Sequence, residues 1–197
     1  MKRHALTLTE LLITIGILGI VGLIVLQIFI STGQFYSDEQ LRIDVGENAD
    51  RLLGNLDAIL RQGKTILPSA SYQSVVYTTN ETNVVFNIPT LMSDQTLSLV
   101  NNDTIILHLD SSEPTNLNIK QIIIPYTNLS QPELSSIRPA GEKVVTSGIK
   151  DIYFRYTSDD PTLSRTITVT ATAAKTVRGR TFSQAVVSYI TLRNAPT

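Results

Sequence analysis

The sequence predicts an α+β fold in which a long N-terminal helix packs on an antiparallel β-sheet head. Three features indicate this fold: an uncharged apolar run from Leu11 to Ile30, a helical stripe between Asp38 and Arg61, and alternating runs beyond Ser69. The stripe repeats every three to four residues and the later runs repeat every two, which are the periods of an amphipathic helix and of half-buried strands. We therefore expect one helical N-terminal part and one β-rich head.

The apolar run is long enough to cross a membrane. Its residues extend from Leu11 to Ile30, with Thr14 and Gln27 as polar exceptions. As a helix with a rise of about 1.5 Å per residue, the run spans about 30 Å, the thickness of a bilayer's hydrocarbon core. Lys2 and Arg3 precede it, so the positive-inside rule predicts a cytoplasmic N-terminus with the rest of the chain outside. The alternative is a cleaved secretory signal, whose apolar region is usually about 7–15 residues long.

The residues that lead into the run resemble a processing signal. Lys2-Arg3-His4-Ala5 followed by Leu6-Thr7-Leu8-Thr9-Glu10-Leu11-Leu12 is similar to the class III signal of type IV prepilins and type II secretion pseudopilins. The resemblance implies cleavage between Ala5 and Leu6 and methylation of the new N-terminus. Residues 1–5 are then a leader and residues 6–30 a transmembrane and assembly helix. Family members usually carry Gly before the cut and Phe after it, where this chain has Ala5 and Leu6.

The resemblance also makes Glu10 the family's assembly glutamate, the fifth residue of the processed chain. Physical chemistry gives a reason for it, because a carboxylate in the apolar phase costs about 2.5–3.5 kcal/mol on insertion scales. The free N-terminal amine of a neighbouring subunit at ~4 Å would attract it by about 4 kcal/mol at an effective dielectric constant near 20. The alternative is that Glu10 reaches the headgroups as an ordinary helix-start residue.

The resemblance further implies partners and a location. The partners are other pilin or pseudopilin subunits bound through the N-terminal helix, the prepilin peptidase, the inner-membrane assembly platform and membrane lipid. The location is the inner membrane, crossed once with the head outside, and then an extracytoplasmic filament. No cofactor is implied. Because no proline precedes Pro68 and the head is fairly large, the resemblance favours a minor over a major subunit.

Residues 31–63 are predicted to continue the helix as an amphipathic spine. Charged residues separate the apolar positions of its stripe, and Gly63 with Pro68 supplies the stop. The stripe consists of Leu41, Val45, Ala49, Leu52, Leu56 and Leu60.

Residues 69–197 are predicted to form the β-rich head. Gln73–Thr79 and Asn83–Ile88 are interpreted as a hairpin, and residues 128–142 as a surface loop. Further strands are expected at Thr104–Leu109, Ile119–Tyr126, around Ile152–Tyr156, at Thr166–Ala173 and at Thr181–Leu192, the last pairing back across Arg178-Gly179.

Composition argues against several classes of chemistry. The chain has no cysteine, which excludes thiol nucleophiles and thiolate metal sites. His108 is the one histidine outside the leader, and its phase predicts a solvated position on a sheet face. Asp159-Asp160 precedes Pro161, a pattern typical of a turn. We therefore expect no enzyme, no catalytic residue and no metal site.

A basic cluster marks the tip of the last predicted hairpin. Lys175, Arg178 and Arg180 surround Gly179, where cations could meet the phosphates of nucleic acid. The favoured interpretation is edge protection and solubility. Removing Lys2 and Arg3 from 16 basic residues leaves 14 against 17 acidic ones, so the processed chain has no basic footprint overall.

Two functional classes follow from the sequence. The first is a structural subunit, a minor pilin or pseudopilin that assembles through its helix. The second is an anchored extracytoplasmic binding or enzymatic domain that never polymerises. The motif at Ala5, Leu6 and Glu10 separates them, because a plain anchor has no use for it.

Overall fold

The computed structural model of the chain describes residues 8–112, 117–177 and 179–193. One long N-terminal helix packs on an antiparallel sheet, so the predicted α+β layout is confirmed. By internal contacts the chain divides into an N-terminal unit that ends at Ile43 and a unit that begins at Asp44, called the head here.

The helix α1 extends from Leu8 to Leu60. Its sequence contains no proline. The helix ends in hydrogen bonds between residues three apart, as in a 3₁₀ turn: the Gln62 amide donates to the Ile59 carbonyl and the Gly63 amide to the Leu60 carbonyl. A β-carbon at Gly63 would lie 2.8 Å from Leu192 Cδ2 and 2.9 Å from the Leu60 oxygen. Glycine therefore lets the chain leave the helix in close contact with the sheet.

The sheet contains seven strands, all antiparallel, in the order β1-β4-β5-β6-β7-β8-β9, while β2 and β3 form a separate two-stranded hairpin. The strands are β1 Thr65–Leu67, β2 Ser69–Tyr72, β3 Val75–Thr78, β4 Asn83–Leu91, β5 Leu97–Asp110, β6 Leu117–Ile124, β7 Gly141–Tyr156, β8 Thr166–Val177 and β9 Arg180–Thr191.

The main core lies between the head's part of α1 and the inner face of this sheet. The predicted stripe supplies the helical side, and its members within the head are buried. On the sheet side the predicted alternation of the late strands is confirmed, because Ile152 and Phe154 of β7 are buried while Tyr153 and Arg155 are exposed. The buried members of the stripe are Val45, Ala49, Leu52, Leu56 and Leu60, and β8 contributes Ile167, Val169, Ala171 and Ala173.

A second, smaller core lies on the outer face of the sheet. Val85, Ile106 and Ile122, from three adjacent strands, are fully buried there. The β2–β3 hairpin packs over them with Tyr72 and Tyr77. At β4, β5 and β6 the sheet is therefore covered on both faces.

The hairpin predicted between residues 73–79 and 83–88 is wrong. Gln73 and Ser74 adopt positive φ angles of 47° and 68°, as a tight turn requires, so the chain reverses there. Val75–Thr78 consequently pairs backward with Ser69–Tyr72, whereas Asn83–Leu91 pairs with β1 and β5.

Candidate functional site

The apolar segment of α1 is the first candidate site. Within the described residues, one helix is long and apolar enough to cross a membrane. None of its most apolar 18-residue stretch is buried. Large apolar side chains are exposed all around it, from Val21 at 49% to Phe29 at 78%. Such a surface is compatible with insertion into lipid or with packing against other apolar helices.

Two threonine hydroxyls, one within this segment and one just after it, are bonded to the helix's own backbone. The Thr14 hydroxyl donates to the Glu10 carbonyl at 2.7 Å, and the Thr32 hydroxyl donates to the Ile28 carbonyl at 2.8 Å. These bonds span one helical turn, so neither hydroxyl needs water. The segment is thereby adapted to an apolar environment despite its threonines.

Glu10 lies in the first turn of α1 on an exposed surface. It is the first-turn acid of the helix, where the partial positive charge of the N-terminus favours a carboxylate. The charge-free run begins at the next residue, Leu11. Ala5 and Leu6, the predicted processing residues, lie outside the described residues.

The basic cluster is only partly described. Lys175 Nζ lies 2.8 Å from Asp44 Oδ2, with both side chains almost half exposed, so this cation is paired within the head. Arg180 is exposed at the start of β9, and Arg178 lies outside the described residues. The pairing of Lys175 reduces the charge that the cluster offers to a phosphate.

The sequence predicted a solvated position for His108, and this prediction is wrong. It occupies the outer face of β5, and its ring centroid lies 5.0 Å from that of Tyr77 in the covering hairpin. Burial is the largest influence on its pKa, which falls below the ordinary value of 6.5, and Glu142 opposes that shift. The alternation placed His108 on the correct face, but the hairpin that covers this face was not predicted.

Charged residues surround His108. Lys120 Nζ bridges Asp110 Oδ2 at 2.8 Å and Glu142 Oε1 at 2.9 Å. Hydrogen bonds from Lys120, the largest influence, and from the amide and hydroxyl of Ser112 together lower the pKa of Asp110 to about 2. His108 Nε2 lies 3.8 Å from Glu142 Oε1, which is too long for a hydrogen bond. Because Lys120 already holds Glu142, the arrangement is an ion-pair network rather than a nucleophile and base.

The other acidic candidate, Asp159-Asp160, lies in a turn, as predicted. Asp160 caps a short 3₁₀ helix, Pro161–Leu163, by accepting from the Thr162 amide at 2.9 Å and from its hydroxyl at 2.7 Å. These bonds lower the pKa of Asp160. In the described part of the chain, no group of three His, Cys, Asp or Glu residues could hold a metal ion.

One buried charged site was not predicted from the sequence. Asp103 of β5 is fully buried, where its carboxylate accepts from Arg138 Nη1 and, at 2.9 Å, from the Ser136 hydroxyl. It also accepts from the Thr90 hydroxyl and the Tyr126 amide. Arg138 donates a further bond to a backbone carbonyl of β4. The network fastens residues 125–140, which connect β6 to β7, to the sheet. The surface loop was predicted at residues 128–142, but its last two residues belong to β7, which begins at Gly141. No local pattern around Asp103 signals the network.

Comparison with known proteins finds no matching family model, no curated protein with significant similarity and no solved structure with significant similarity.

Proposed function

We propose that this chain is a structural subunit, a minor pilin or pseudopilin of a type IV pilus or a type II secretion or competence-like filament. The observation that carries the proposal is α1 itself, in which one carboxylate, Glu10, immediately precedes an exposed apolar segment of membrane length. A filament of such helices gives every apolar segment apolar neighbours after it leaves the lipid.

The role of Glu10 follows from where its charge lies. A carboxylate at the edge of an apolar environment is stabilised by a cation at the same depth. Cleavage between Ala5 and Leu6 by a prepilin peptidase would create such a cation, the N-terminal amine, on each neighbouring subunit. The pairing couples processing to assembly, because an uncut chain offers no amine at that depth.

The proposal includes a location and a set of partners. The chain crosses the inner membrane once, with its N-terminus inside and its head outside, and then enters an extracytoplasmic filament. The membrane platform that drives assembly and the other subunits contact the helix. The head's surface carries no requirement for a cofactor in this role.

Glu10 variants test the proposal. Glu10→Ala and Glu10→Gln should both reduce co-purification with the other filament subunits by about tenfold or more, because each removes an attraction of several kcal/mol. Their level in the membrane fraction should be unchanged or higher, since the segment becomes more apolar. Gln27→Ala is the matched control, because it removes the long polar side chain that lies within the apolar run. This variant should assemble normally.

Mass spectrometry of the same samples provides the second readout. The wild-type chain should begin at Leu6 with a methylated amine, and a chain that keeps Met1 or begins near Gly33 would contradict the proposal. Normal assembly of Glu10→Ala would leave Glu10 as a helix-start residue. The anchored, non-polymerising domain would then be the better interpretation.

A further inference from the structure

The strand β9 forms an open edge of the seven-stranded sheet. It pairs with β8 along its whole length without a register shift, and among the described strands none pairs with its other side. The opposite edge is β1, which has only three residues. The two edges of the sheet therefore differ greatly in the length of backbone they expose.

Beyond the basic residues at the tip of its hairpin, β9 lacks the usual protection of an edge strand. Natural proteins protect edges with charged residues, proline, bulges or very short strands, because an exposed row of amides and carbonyls recruits other strands. From Ser183 to Thr191 there is no charge, no proline and no glycine. This segment is therefore able to accept another strand.

The exposed side chains of β9 are complementary to themselves. Val187 and Tyr189 lie two residues apart on the outer face, with 52% and 73% of their surface exposed. If two β9 strands pair antiparallel about Ser188, each Val187 lies opposite the other copy's Tyr189. Pairs of aromatic and β-branched residues are favourable across strands, and here the symmetry makes the pair twice.

We propose that two copies of this chain associate through β9, antiparallel, with a two-fold axis at Ser188. The absence of charge between Ser183 and Thr191 means that no like charges oppose one another along the pair. A two-fold contact is closed, whereas a filament grows by head-to-tail contacts. The β9 contact is therefore separate from the contacts by which a filament grows, and it does not depend on the proposed function.

Single cysteines test this geometry directly, because the chain has none of its own. Ser188→Cys and Ser183→Cys are matched variants on the same strand. At the axis, opposite β-carbons lie about 4.5–5.5 Å apart, close enough for a disulfide after small adjustment. In the same dimer the two Ser183 positions are ten residues apart along the strands, about 33 Å.

The experiment uses the full-length chain in detergent under mild oxidation. We expect at least tenfold more disulfide-linked dimer with Ser188→Cys than with Ser183→Cys, although Ser183 is the more exposed position. Random collision, or association through the apolar helix alone, would favour Ser183→Cys or give equal yields, and either result would overturn the proposal. Absence of linked dimer with both variants would also overturn it.

A second set of variants separates edge pairing from docking on the sheet face. In the Ser188→Cys chain, Val187→Lys with Tyr189→Lys sets lysine against lysine twice and should reduce linked dimer about tenfold. Tyr153→Lys is the control, because Tyr153 is exposed on β7, two strands away and in line with Val187 through Thr170. Equal loss with Tyr153→Lys would indicate a face contact instead. Glu10→Ala should leave the yield unchanged, so failure here and failure of the proposed function are distinguishable.

Discussion

Two polar residues of β5 are buried by different means. Asp103 has four side-chain or backbone donors, including Arg138, so its charge is compensated where it lies. His108 has an aromatic ring beside it and a carboxylate at 3.8 Å. Burial without a donor or acceptor of good geometry disfavours the charged imidazole. The first residue fixes a loop, and the second responds to pH.

His108 should make the head less stable in mild acid. Its pKa is lowered by burial, so the unfolded chain binds the proton more readily than the folded one between the two pKa values. The contribution to the unfolding free energy is complete above about pH 6.5, the unfolded value, and decreases as the pH falls toward the folded value. Urea denaturation at about pH 7.5 and about pH 5.5 measures the difference.

The control for this prediction is His108→Gln, which keeps a polar side chain that does not titrate. Its unfolding free energy should change less over the same pH interval, whatever its absolute value. The groups that face His108 include Tyr77, Asp110, Lys120 and Glu142. An identical pH dependence in the wild type and in His108→Gln would show that another group is responsible.

At the scale of elements, turns and covering layers were harder to predict than strands. Alternation identified β8 and the second half of β7, because one face of each is buried and the other carries polar side chains. The turn at Gln73-Ser74 escaped prediction because positive φ angles usually select Asn or Gly. Consecutive apolar residues were the unused signal: Val84-Val85-Phe86 and Ile105-Ile106-Leu107 are buried on both faces.

Two glycines near the end of α1 should respond oppositely to alanine. A β-carbon at Gly54 meets nothing within 4 Å, so Gly54→Ala should raise the unfolding free energy by about 0.5–1 kcal/mol through helix propensity. A β-carbon at Gly63 would lie 2.9 Å from the Leu60 carbonyl oxygen and 3.2 Å from Phe86 Cδ2. Gly63→Ala should therefore lower the unfolding free energy by about 1–3 kcal/mol.

Each of these variants is the control for the other, because the substitution is the same and the sites are nine residues apart. Chemical denaturation of both variants and the wild type measures the sign of the change in unfolding free energy for each. Destabilisation by Gly54→Ala would mean that this helical surface is covered, and stability of Gly63→Ala would mean that the helix end relaxes away from the sheet.

At the scale of the whole molecule, the features predicted from the sequence are those that depend on periodicity and segment length. The helix, its apolar segment and the sheet on its spine follow from local patterns in single segments. The outer core and the Asp103 network depend on which distant segments meet. The same is true of the bonds that the Tyr156 hydroxyl donates to the carbonyls of Asn80 and Asn83. The local sequence around those positions does not indicate which distant segment each will contact. These contacts are therefore seen only in the structure.

The last prediction concerns the independence of the head. The unit that begins at Asp44 contains a core between helix and sheet and a second core under the β2–β3 hairpin. A fragment that begins at Asp38 should therefore be soluble, unfold cooperatively and give a circular dichroism spectrum dominated by strand. Leu56→Ala in this fragment should lower the unfolding free energy by about 2–5 kcal/mol, because Leu56 is fully buried against the sheet. A helix-dominated spectrum, or insensitivity to Leu56→Ala, would mean that the spine does not pack on the sheet once the membrane segment is removed.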